Sequence, residues 1–298
     1  MSKAKPIKSI GIVGSGVMGR GIAQVSYTAG YQVILVDKEQ EIVDSSIKRI
    51  ENSLLKLSQK GRLDQKLADE AASKIVGTTE LSSLSQCDLV IEAVFENEEI
   101  KKTILKELDQ VCSQQTILAS NTSSLSISKL GSGLSRMENI VGMHFFNPVP
   151  IMNLVEIVKT VKTSTQALES VVEFVKSIQK KPVVVRDQAG FVVNYILTPF
   201  LFDAVKALSQ GLCTVEEIDN AFRFGCGHPM GPLALCDMIG LDILVTAGNK
   251  MFEEYHDQKY APPPLLKRLV DVGDFGIKSG RGFYQYTGME KKEPRQFC

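Results

Sequence analysis

A glycine-rich turn between two apolar segments constrains the fold of this 298-residue chain more than any other feature. Residues 8–13 read as a short buried strand, and the motif Gly14-Ser15-Gly16-Val17-Met18-Gly19 follows at the start of a helix predicted over 17–29. A second apolar strand, 32–36, ends at Asp37. An apolar strand, a helix and another apolar strand in this order predict a parallel βαβ unit.

The glycine motif and the acidic residue after the second strand together indicate a dinucleotide site. Glycines permit a tight turn and a close approach of the backbone, so a pyrophosphate can bind the free amides at the helix N-terminus. The carboxylate of Asp37 would bind a ribose 2′-hydroxyl and repel a 2′-phosphate, which predicts NAD as the cofactor. A tight structural turn without a ligand is the alternative, and Lys38 weakens the preference for NAD over NADP.

Strand and helix signals alternate along the first two thirds of the chain. Strand-like runs return at 88–93, 116–119, 139–143, 154–158 and 182–185, with helical stretches near 97–112 and 165–178. This alternation predicts an α/β fold: a Rossmann-type, doubly wound sheet domain over residues 1–187. Beyond a linker at 187–190 helical periodicity dominates, so residues 190–298 are predicted to form a mostly helical domain.

The segment between Asp37 and the strand at 88 is too long for one crossover, and residues from about 39 to 75 are predicted to form a helical arm. Two stripes at helical spacing mark it, an apolar one at Ile47, Ile50, Leu54 and Leu57 and a polar one at Arg49, Ser53, Lys56 and Lys60. The polar stripe indicates either a solvated face or an arm that reaches a phosphate-bearing ligand.

Composition excludes several functional classes. Thirty-four basic residues balance thirty-four acidic ones, so no general attraction to nucleic acid or to an anionic membrane is encoded, and an anionic ligand must be held by a local patch. The six cysteines show no metal-ligand spacing, so we expect free, mostly buried thiols and no metal. The N-terminus leaves no room for a signal peptide, and the apolar run 191–202 is too short to span a membrane, which predicts a cytoplasmic protein.

One of only three histidines, His144, lies inside an otherwise apolar run, and Glu156 has an equally apolar context twelve residues later. A carboxylate that meets an imidazole can orient it and stabilise its protonated form, as a catalytic base requires. Taken alone, these residues favour the alternative of a satisfied core histidine and a strand-edge glutamate. The cluster 120–124 follows an apolar strand, where its hydroxyls could face a substrate oxygen or cap a helix.

Taken together, these motifs resemble those of the 3-hydroxyacyl-CoA dehydrogenase family, in particular its small stand-alone type that includes bacterial 3-hydroxybutyryl-CoA dehydrogenases. The resemblance runs from Ile10 to Tyr286. It rests on the glycine loop, Ser120–Ser124, His144-Phe145-Phe146-Asn147-Pro148, Leu154-Val155-Glu156-Ile157, Gly190-Phe191-Val192-Val193-Asn194 and His228-Pro229-Met230-Gly231-Pro232-Leu233.

The resemblance implies reversible, NAD-dependent oxidation of a short-chain (S)-3-hydroxyacyl-CoA in fatty acid or butanoate metabolism, by a homodimer formed through the C-terminal domain. His144 matches the catalytic base and Glu156 its partner, while Ser123 and Asn194 match residues that contact the reacting oxygen. The resemblance also implies ligand contacts, for the cofactor at Gly14, Ser15, Gly16, Val17, Met18, Gly19, Asp37, Glu96, Lys101, Ser123, Asn147 and Lys278, and for the acyl-CoA substrate at Ser53, Lys60 and Ser123.

Two other functions compete with this interpretation. One is a dehydrogenase of the same architecture that acts on a hydroxy acid without coenzyme A, for which the stripe of Lys56 and Lys60 would have no role. The other is a non-catalytic NAD-binding protein, which would not need all of Ser123, His144, Glu156 and Asn194. The chain departs from the family at Tyr195, where the family commonly has arginine; this leaves the chemistry intact but puts domain packing or the acyl pocket in question.

Overall fold

The structure, a computed structural model, describes residues 4–287 and 291–297. The chain divides into two compact units with the boundary between Phe191 and Val192. The first unit contains a large, mostly parallel sheet flanked by helices, and the second is mostly helical. The predicted fold class is therefore confirmed.

The first unit contains eight strands, six α-helices and two short 3-10 helices, at Leu81–Leu84 and Met137–Asn139, in its described residues. The strands are β1 Ser9–Val13, β2 Gln32–Val36, β3 Ile75–Thr78, β4 Leu89–Glu92, β5 Ile117–Ser120, β6 Ile140–Phe145, β7 Leu154–Lys159 and β8 Lys181–Arg186. The helices are α1 Val17–Thr28, α2 Gln40–Gln59, α3 Gln65–Lys74, α4 Glu98–Val111, α5 Ile127–Leu130 and α6 Thr165–Ser177.

All eight strands form one sheet in the order β3-β2-β1-β4-β5-β6-β7-β8. Neighbours are parallel throughout except β6 and β7, which pair antiparallel. Strand β3 was not predicted, because it is only four residues long, lies at the sheet edge and is buried at Ile75 alone. The sheet's parallel part brings the carboxyl ends of β1 to β6 to one edge, where α/β proteins bind their ligands.

Nearly continuous apolar strands explain why both faces of this sheet are buried, because successive side chains point to opposite faces. On β1, Ile10 and Ile12 pack into one core, and Val13 packs into the core of the opposite face. The first core also receives side chains of α1, α2 and α6, and the second receives side chains of α4 and α5. The doubly wound arrangement follows from this two-sided burial.

Helices α2 and α3 account for most of the long segment before β4 and pack against each other. Ile50 and Leu54 of the apolar stripe are buried, and Ile47 and Leu57 are half-buried against the same core. Gly77 on β3 allows the close approach of α2, since a Cβ there would lie 2.5 Å from the Val43 side chain. The apolar stripe thus holds α2 against the edge of the sheet, and the polar stripe lies on another face of the same helix.

The second unit contains α7 Val193–Ser209, α8 Val215–Asn220, α9 Pro232–Ile239, α10 Leu241–Tyr255 and α11 Pro264–Asp271, followed by the hairpin of β9 Tyr284–Thr287 and β10 Lys291–Pro294. Helix α8 is followed by a π-helical turn at Ala221–Gly225. Within residues 4–287 and 291–297 no individual helix has the length and apolarity to cross a membrane; α9 and α10 meet that test only as a pair bent by 93°.

The predicted free cysteines differ in exposure. Cys87, Cys112 and Cys236 are buried, whereas Cys213 and Cys226 are exposed, so burial holds for only part of the set. Cys298 lies outside the described residues.

Two buried carboxylates tie the second unit together. Asp219 accepts hydrogen bonds from the Leu233 and Ala234 backbone amides and from the Tyr284 hydroxyl. Asp237 accepts hydrogen bonds from two backbone amides of the 283–284 segment and from the Tyr286 hydroxyl. Burial raises the pKa of Asp237 to about 6, and its hydrogen bonds only partly oppose that rise. The carboxyl group is therefore easier to bury protonated than ionised.

Asp237 should make the second unit less stable as the pH rises from about 4 to about 6. Its pKa is higher in the folded state than in the unfolded chain, so the stability from this group is fully present below the unfolded pKa and lost through the folded one. Carboxyl-carbon NMR measures this directly and should give Asp237 a midpoint near 6. Asp109, whose pKa is lowered by hydrogen bonds from Ser135 and Arg136 against the effect of burial, is the internal control. An Asp237 midpoint no higher than that of Asp109 would contradict this account.

Candidate active site

The glycine loop joins β1 to α1 at the carboxyl edge of the sheet. Gly14 has φ +99°, and a Cβ there would lie 2.7 Å from the Ala93 carbonyl oxygen, so only glycine fits. Gly16 precedes α1 without a side-chain cap, and a Cβ on it would meet nothing within 4 Å. The first amides of α1 thus face open space, which fits the pyrophosphate of a dinucleotide.

Asp37 follows β2 at the same edge and is bound to the glycine loop. The amide and the hydroxyl of Ser15 both donate to the same Asp37 carboxylate oxygen, each at 2.7 Å. The other oxygen accepts from the Lys38 amide at 2.8 Å. These bonds hold the carboxylate beside the loop, where a ribose hydroxyl can bind it.

His144 and Glu156 meet because β6 and β7 pair antiparallel with these two residues directly opposite. The imidazole Nδ1 lies 2.7 Å from Glu156 Oε2. Glu156 has no exposed surface, and the residue His144 is 7% exposed. A hydrogen bond at Nδ1 fixes the ring and leaves Nε2 as the nitrogen that can exchange a proton with a ligand.

Aromatic rings enclose the imidazole. The Phe146 and Phe191 ring centres lie 4.4 and 5.6 Å from that of His144.

The connection from β6 to β7 carries Asn147, which is exposed. The buried ammonium group of Lys180 holds this connection, because it donates to the Val149 and Met152 carbonyls at 2.6 and 2.7 Å. Burial lowers the pKa of Lys180. Lys180 was not recognised in the sequence, where it is one more lysine between a helix and a strand.

The serine-rich loop after β5 surrounds one glutamate. Glu96 Oε1 accepts bonds from the Thr122 hydroxyl at 2.5 Å, from the Ser124 hydroxyl at 3.0 Å and from the Ser123 amide and hydroxyl at 3.1 and 3.4 Å. Burial acts to raise the pKa of Glu96, but the Thr122 bond, the Lys101 charge and the bonds from Ser124 and Ser123 lower it overall. The Thr122 hydroxyl also accepts from the amides of Ser124 and Leu125, but the residue that caps α5 is Ser126, outside the 120–124 cluster.

A buried ion pair lies beneath this loop. Lys101 and Glu92 have no exposed side-chain surface, and their charged groups are 2.7 Å apart. Glu92 also accepts from the Ser120 hydroxyl at 2.6 Å and the Val94 amide at 2.7 Å, while Lys101 lies 3.6 Å from Glu96. The structure thus places Lys101 behind Glu96. Sequence reasoning missed Glu92, although a carboxylate at the end of an apolar strand is itself a signal.

The carboxyl edge of the sheet therefore carries the glycine loop, Asp37, the Ser123 loop and His144. Ser120 of β5 lies opposite Gly142 of β6, so the loop with Ser123 leaves the sheet beside His144. The Phe145 amide donates to the Asn121 side-chain oxygen at 3.0 Å and joins the two segments. Farther along the first unit, Ser53 lies half-buried on α2 and Lys60 is exposed at its C-terminal end.

Two predicted site residues, Asn194 and Lys278, belong to the second unit, as does Tyr195. Asn194 is the second residue of α7, and Lys278 pairs with Asp242 at 2.6 Å. Tyr195, where the family commonly has arginine, packs against Tyr255 and Tyr260 with ring centres 5.5 and 5.6 Å away. The Lys259 ammonium lies 5.2 Å from the centre of the Tyr195 ring. An aromatic cluster with a cation on its face thus occupies this position.

Comparison with known proteins places the chain in one family. The model for the NAD-binding domain of 3-hydroxyacyl-CoA dehydrogenase matches residues 9–188, and that for the C-terminal domain matches residues 190–286. A 3-hydroxybutyryl-CoA dehydrogenase of Mycobacterium tuberculosis is 43% identical over 94% of this chain and 99% of its own length. The human mitochondrial hydroxyacyl-coenzyme A dehydrogenase is 40% identical over 94% of this chain and 91% of its own.

A solved structure agrees with these sequence relatives. The crystal structure of (S)-3-hydroxybutyryl-CoA dehydrogenase from Ralstonia eutropha superposes with a TM-score of 0.92 at 42% identity, covering 94% of this chain and 99% of that one. The models of both domains and the nearly full-length relatives thus lead to the same assignment. The chain belongs to the 3-hydroxyacyl-CoA dehydrogenase family of NAD-dependent oxidoreductases.

Proposed function

We propose that the protein reversibly oxidises a short-chain (S)-3-hydroxyacyl-CoA, such as 3-hydroxybutyryl-CoA, to the 3-ketoacyl-CoA, with His144 and Glu156 as its acid–base pair. The single observation that carries the proposal is the 2.7 Å contact between His144 Nδ1 and the fully buried Glu156 carboxyl group. An imidazole fixed in this way, at the edge of the sheet where the glycine loop lies, is arranged for proton transfer rather than for packing alone.

His144 is proposed to remove the proton of the substrate's 3-hydroxyl through Nε2. The carboxyl group at Nδ1 stabilises the imidazolium that forms, so the ring can hold the proton and return it in the reverse direction. Phe146 and Phe191 limit water around the ring, which strengthens the interaction between His144 and Glu156. Glu156 acts through His144 and has no exposed surface of its own.

Ser123 and Asn194 are proposed to hold the reacting oxygen. Donors aimed at a carbonyl oxygen stabilise the negative charge that develops there during reduction. Glu96 accepts hydrogen bonds from both the amide and the hydroxyl of Ser123, which fixes the position of the loop. Lys101 acts behind it, since its ammonium pairs with Glu92 and lies 3.6 Å from Glu96.

NAD is proposed to bind along the same edge. The amides of Gly14 to Gly19 would hold the pyrophosphate, Asp37 the adenosine ribose, and Glu96, Ser123, Asn147 and Lys278 the remaining part, on which the buried Lys101 would act through Glu96. When bound, the cofactor supplies the acceptor for the hydride that leaves C3 of the substrate. The open space above Gly16 and the fixed Asp37 carboxylate support this assignment.

The coenzyme A handle is proposed to lie along α2, with contacts at Ser53 and Lys60. Relatives at 43% identity that act on 3-hydroxybutyryl-CoA support the short acyl chain, and fatty acid or butanoate metabolism follows from that substrate. We also propose that the protein works in the cytoplasm as a homodimer formed through the second unit. An apolar cleft of about 560 Å³ there, lined by Ile196, Phe200 and Phe222 among others, supports that interface, and the mass in solution tests it.

The proposed substrate class is tested by NADH oxidation with acetoacetyl-CoA and, in parallel, with free acetoacetate. Both carry the same 3-keto group, so the comparison isolates the coenzyme A handle. We expect kcat/KM to be higher with the thioester by at least about a hundredfold, because binding energy from the distant nucleotide also lowers the barrier at the reacting carbon. Equal rates with the two compounds would favour the hydroxy acid dehydrogenase that does not use coenzyme A.

A further inference from the structure

A cavity lined mostly by polar residues lies between α1 and α2, next to the glycine loop. It measures about 370 Å³ and is lined by Arg20, Glu41, Ile42, Ser45, Ser46 and Arg49. That volume lies in the range of small-ligand sites and accommodates a phosphate together with its sugar. None of the roles proposed above uses these residues.

Two arginines line this cavity, Arg20 and Arg49. Neither Arg20 nor Arg49 forms an ion pair within residues 4–287 and 291–297, although Glu41 lies in the same lining. Burial and then the charge of Arg49 lower the pKa of Arg20. Like charges held in one cavity destabilise each other until an anion binds between them.

Hydrogen bonds to the glycine loop fix the two helices that line the cavity. The Ser46 hydroxyl donates to the Ser15 carbonyl at 2.8 Å, and the Arg20 guanidinium donates to the same carbonyl at 3.4 Å. Ser46 is 2% exposed. Both helices that form the walls are thus fixed to the loop that is proposed to hold the dinucleotide, and Ser15 connects that wall to Asp37.

A polar face of α2 continues from the cavity toward the C-terminal end of that helix. From Arg49, steps of four, three and four residues lead to Ser53, Lys56 and Lys60, which is the spacing of one helical face. The cavity is therefore the N-terminal continuation of the stripe proposed for coenzyme A. On the opposite side, Asp37 would repel a phosphate on the adenosine ribose of the cofactor.

We propose that the cavity containing Arg20 and Arg49 binds the phosphate monoester of a nucleotide ligand: the 3′-phosphate of coenzyme A or the 2′-phosphate of NADP. Guanidinium groups suit this ligand because they bind phosphate oxygens through two parallel hydrogen bonds. The continuity with Ser53 and Lys60 and the charge of Asp37 favour coenzyme A, and this part of the inference rests on the proposed function. The carboxylate of Glu41, which also lines the cavity, would repel the phosphate.

Direct binding tests the inference without turnover. Calorimetric dissociation constants would be measured for coenzyme A, 3′-dephospho-coenzyme A, NADP and NAD, with the native protein and with Arg49→Gln. Loss of one charged hydrogen-bond donor should weaken coenzyme A about tenfold and leave 3′-dephospho-coenzyme A unchanged. Glu41→Gln should tighten coenzyme A only. Lys48→Gln, adjacent on α2 but outside the cavity, is the matched control and should change neither.

The four ligands separate the outcomes. If Arg49→Gln weakens the binding of NADP but not the binding of NAD or coenzyme A, the result would support the phosphate site and assign it to the cofactor. Equal changes for coenzyme A and its dephospho form, or values for Arg49→Gln that match those for Lys48→Gln, would overturn the proposal while leaving the dehydrogenase function intact. If the native protein binds neither form of coenzyme A and does not distinguish NADP from NAD, both this site and the proposed substrate class fail.

Discussion

Replacing His144 by glutamine should lower kcat for acetoacetyl-CoA reduction by about a thousandfold, since general acid–base groups contribute about 10²–10⁴. Glutamine fills similar space and bonds neighbouring groups, but it cannot take up or release a proton near neutral pH. The loss should therefore fall on kcat rather than on binding. Steady-state NADH oxidation measures the rate, and a titration of NADH fluorescence should give a dissociation constant within about twofold of the native one.

The matched control is His256→Asn. His256 is exposed at the end of α10 with φ +50°, a conformation that asparagine tolerates, so the variant should keep the native rate. Glu156→Gln provides the second comparison, because it leaves the imidazole in place and removes the charge beside it. A native rate in His144→Gln would contradict the proposed role, and a loss of NADH binding in step with kcat would indicate a structural role instead.

Replacing Lys101 by methionine should destabilise the first unit by about 3–5 kcal/mol, the range measured when one partner of a buried ion pair is removed. Methionine occupies similar volume, so the main change is that Glu92 stays buried without its cation. The bonds from Ser120 and Val94 to Glu92 persist and do not replace a full charge. Chemical denaturation followed by circular dichroism measures the free energy of unfolding, which suits a chain without tryptophan.

The double variant Lys101→Met, Glu92→Gln separates charge from packing. It removes both charges, so most of the lost stability should return. It should not restore the full rate if Lys101 also holds Glu96 and the Ser123 loop in place. If the single variant is as stable as the native protein, or if the double variant is less stable than the single one, the ion pair does not have the role given to it here.

Local periodicity was enough to predict the sheet and most of its strands. Strands β1 and β2 and helix α1 lie within a residue of their predicted bounds, because apolar runs and helical spacing are properties of neighbouring residues. Strand β3 was not predicted, because an edge strand can carry polar side chains and therefore lacks a continuous apolar run. Asp37 was recognisable because the position after the second strand has a defined geometry in a βαβ unit.

Contacts between distant segments could not be read in the same way. His144 and Glu156 were each identifiable as polar residues in apolar strands, but their pairing depends on the antiparallel register of β6 and β7, which no local pattern specifies. The pair of Glu92 and Lys101 depends on how the loop after β4 returns to α4. The meeting of Arg20 with Arg49 likewise requires the packing of α1 on α2.

The most direct test of the proposed function is the oxidation of the two enantiomers of 3-hydroxybutyryl-CoA with NAD. An active site with one base and one fixed oxygen-binding loop presents a single face of C3 for reaction. The (S) enantiomer should be oxidised to acetoacetyl-CoA, reversibly, and the (R) enantiomer should react at most about a hundredth as fast. Oxidation of the (R) enantiomer at an equal or higher rate, or of neither, would contradict the function proposed for this site.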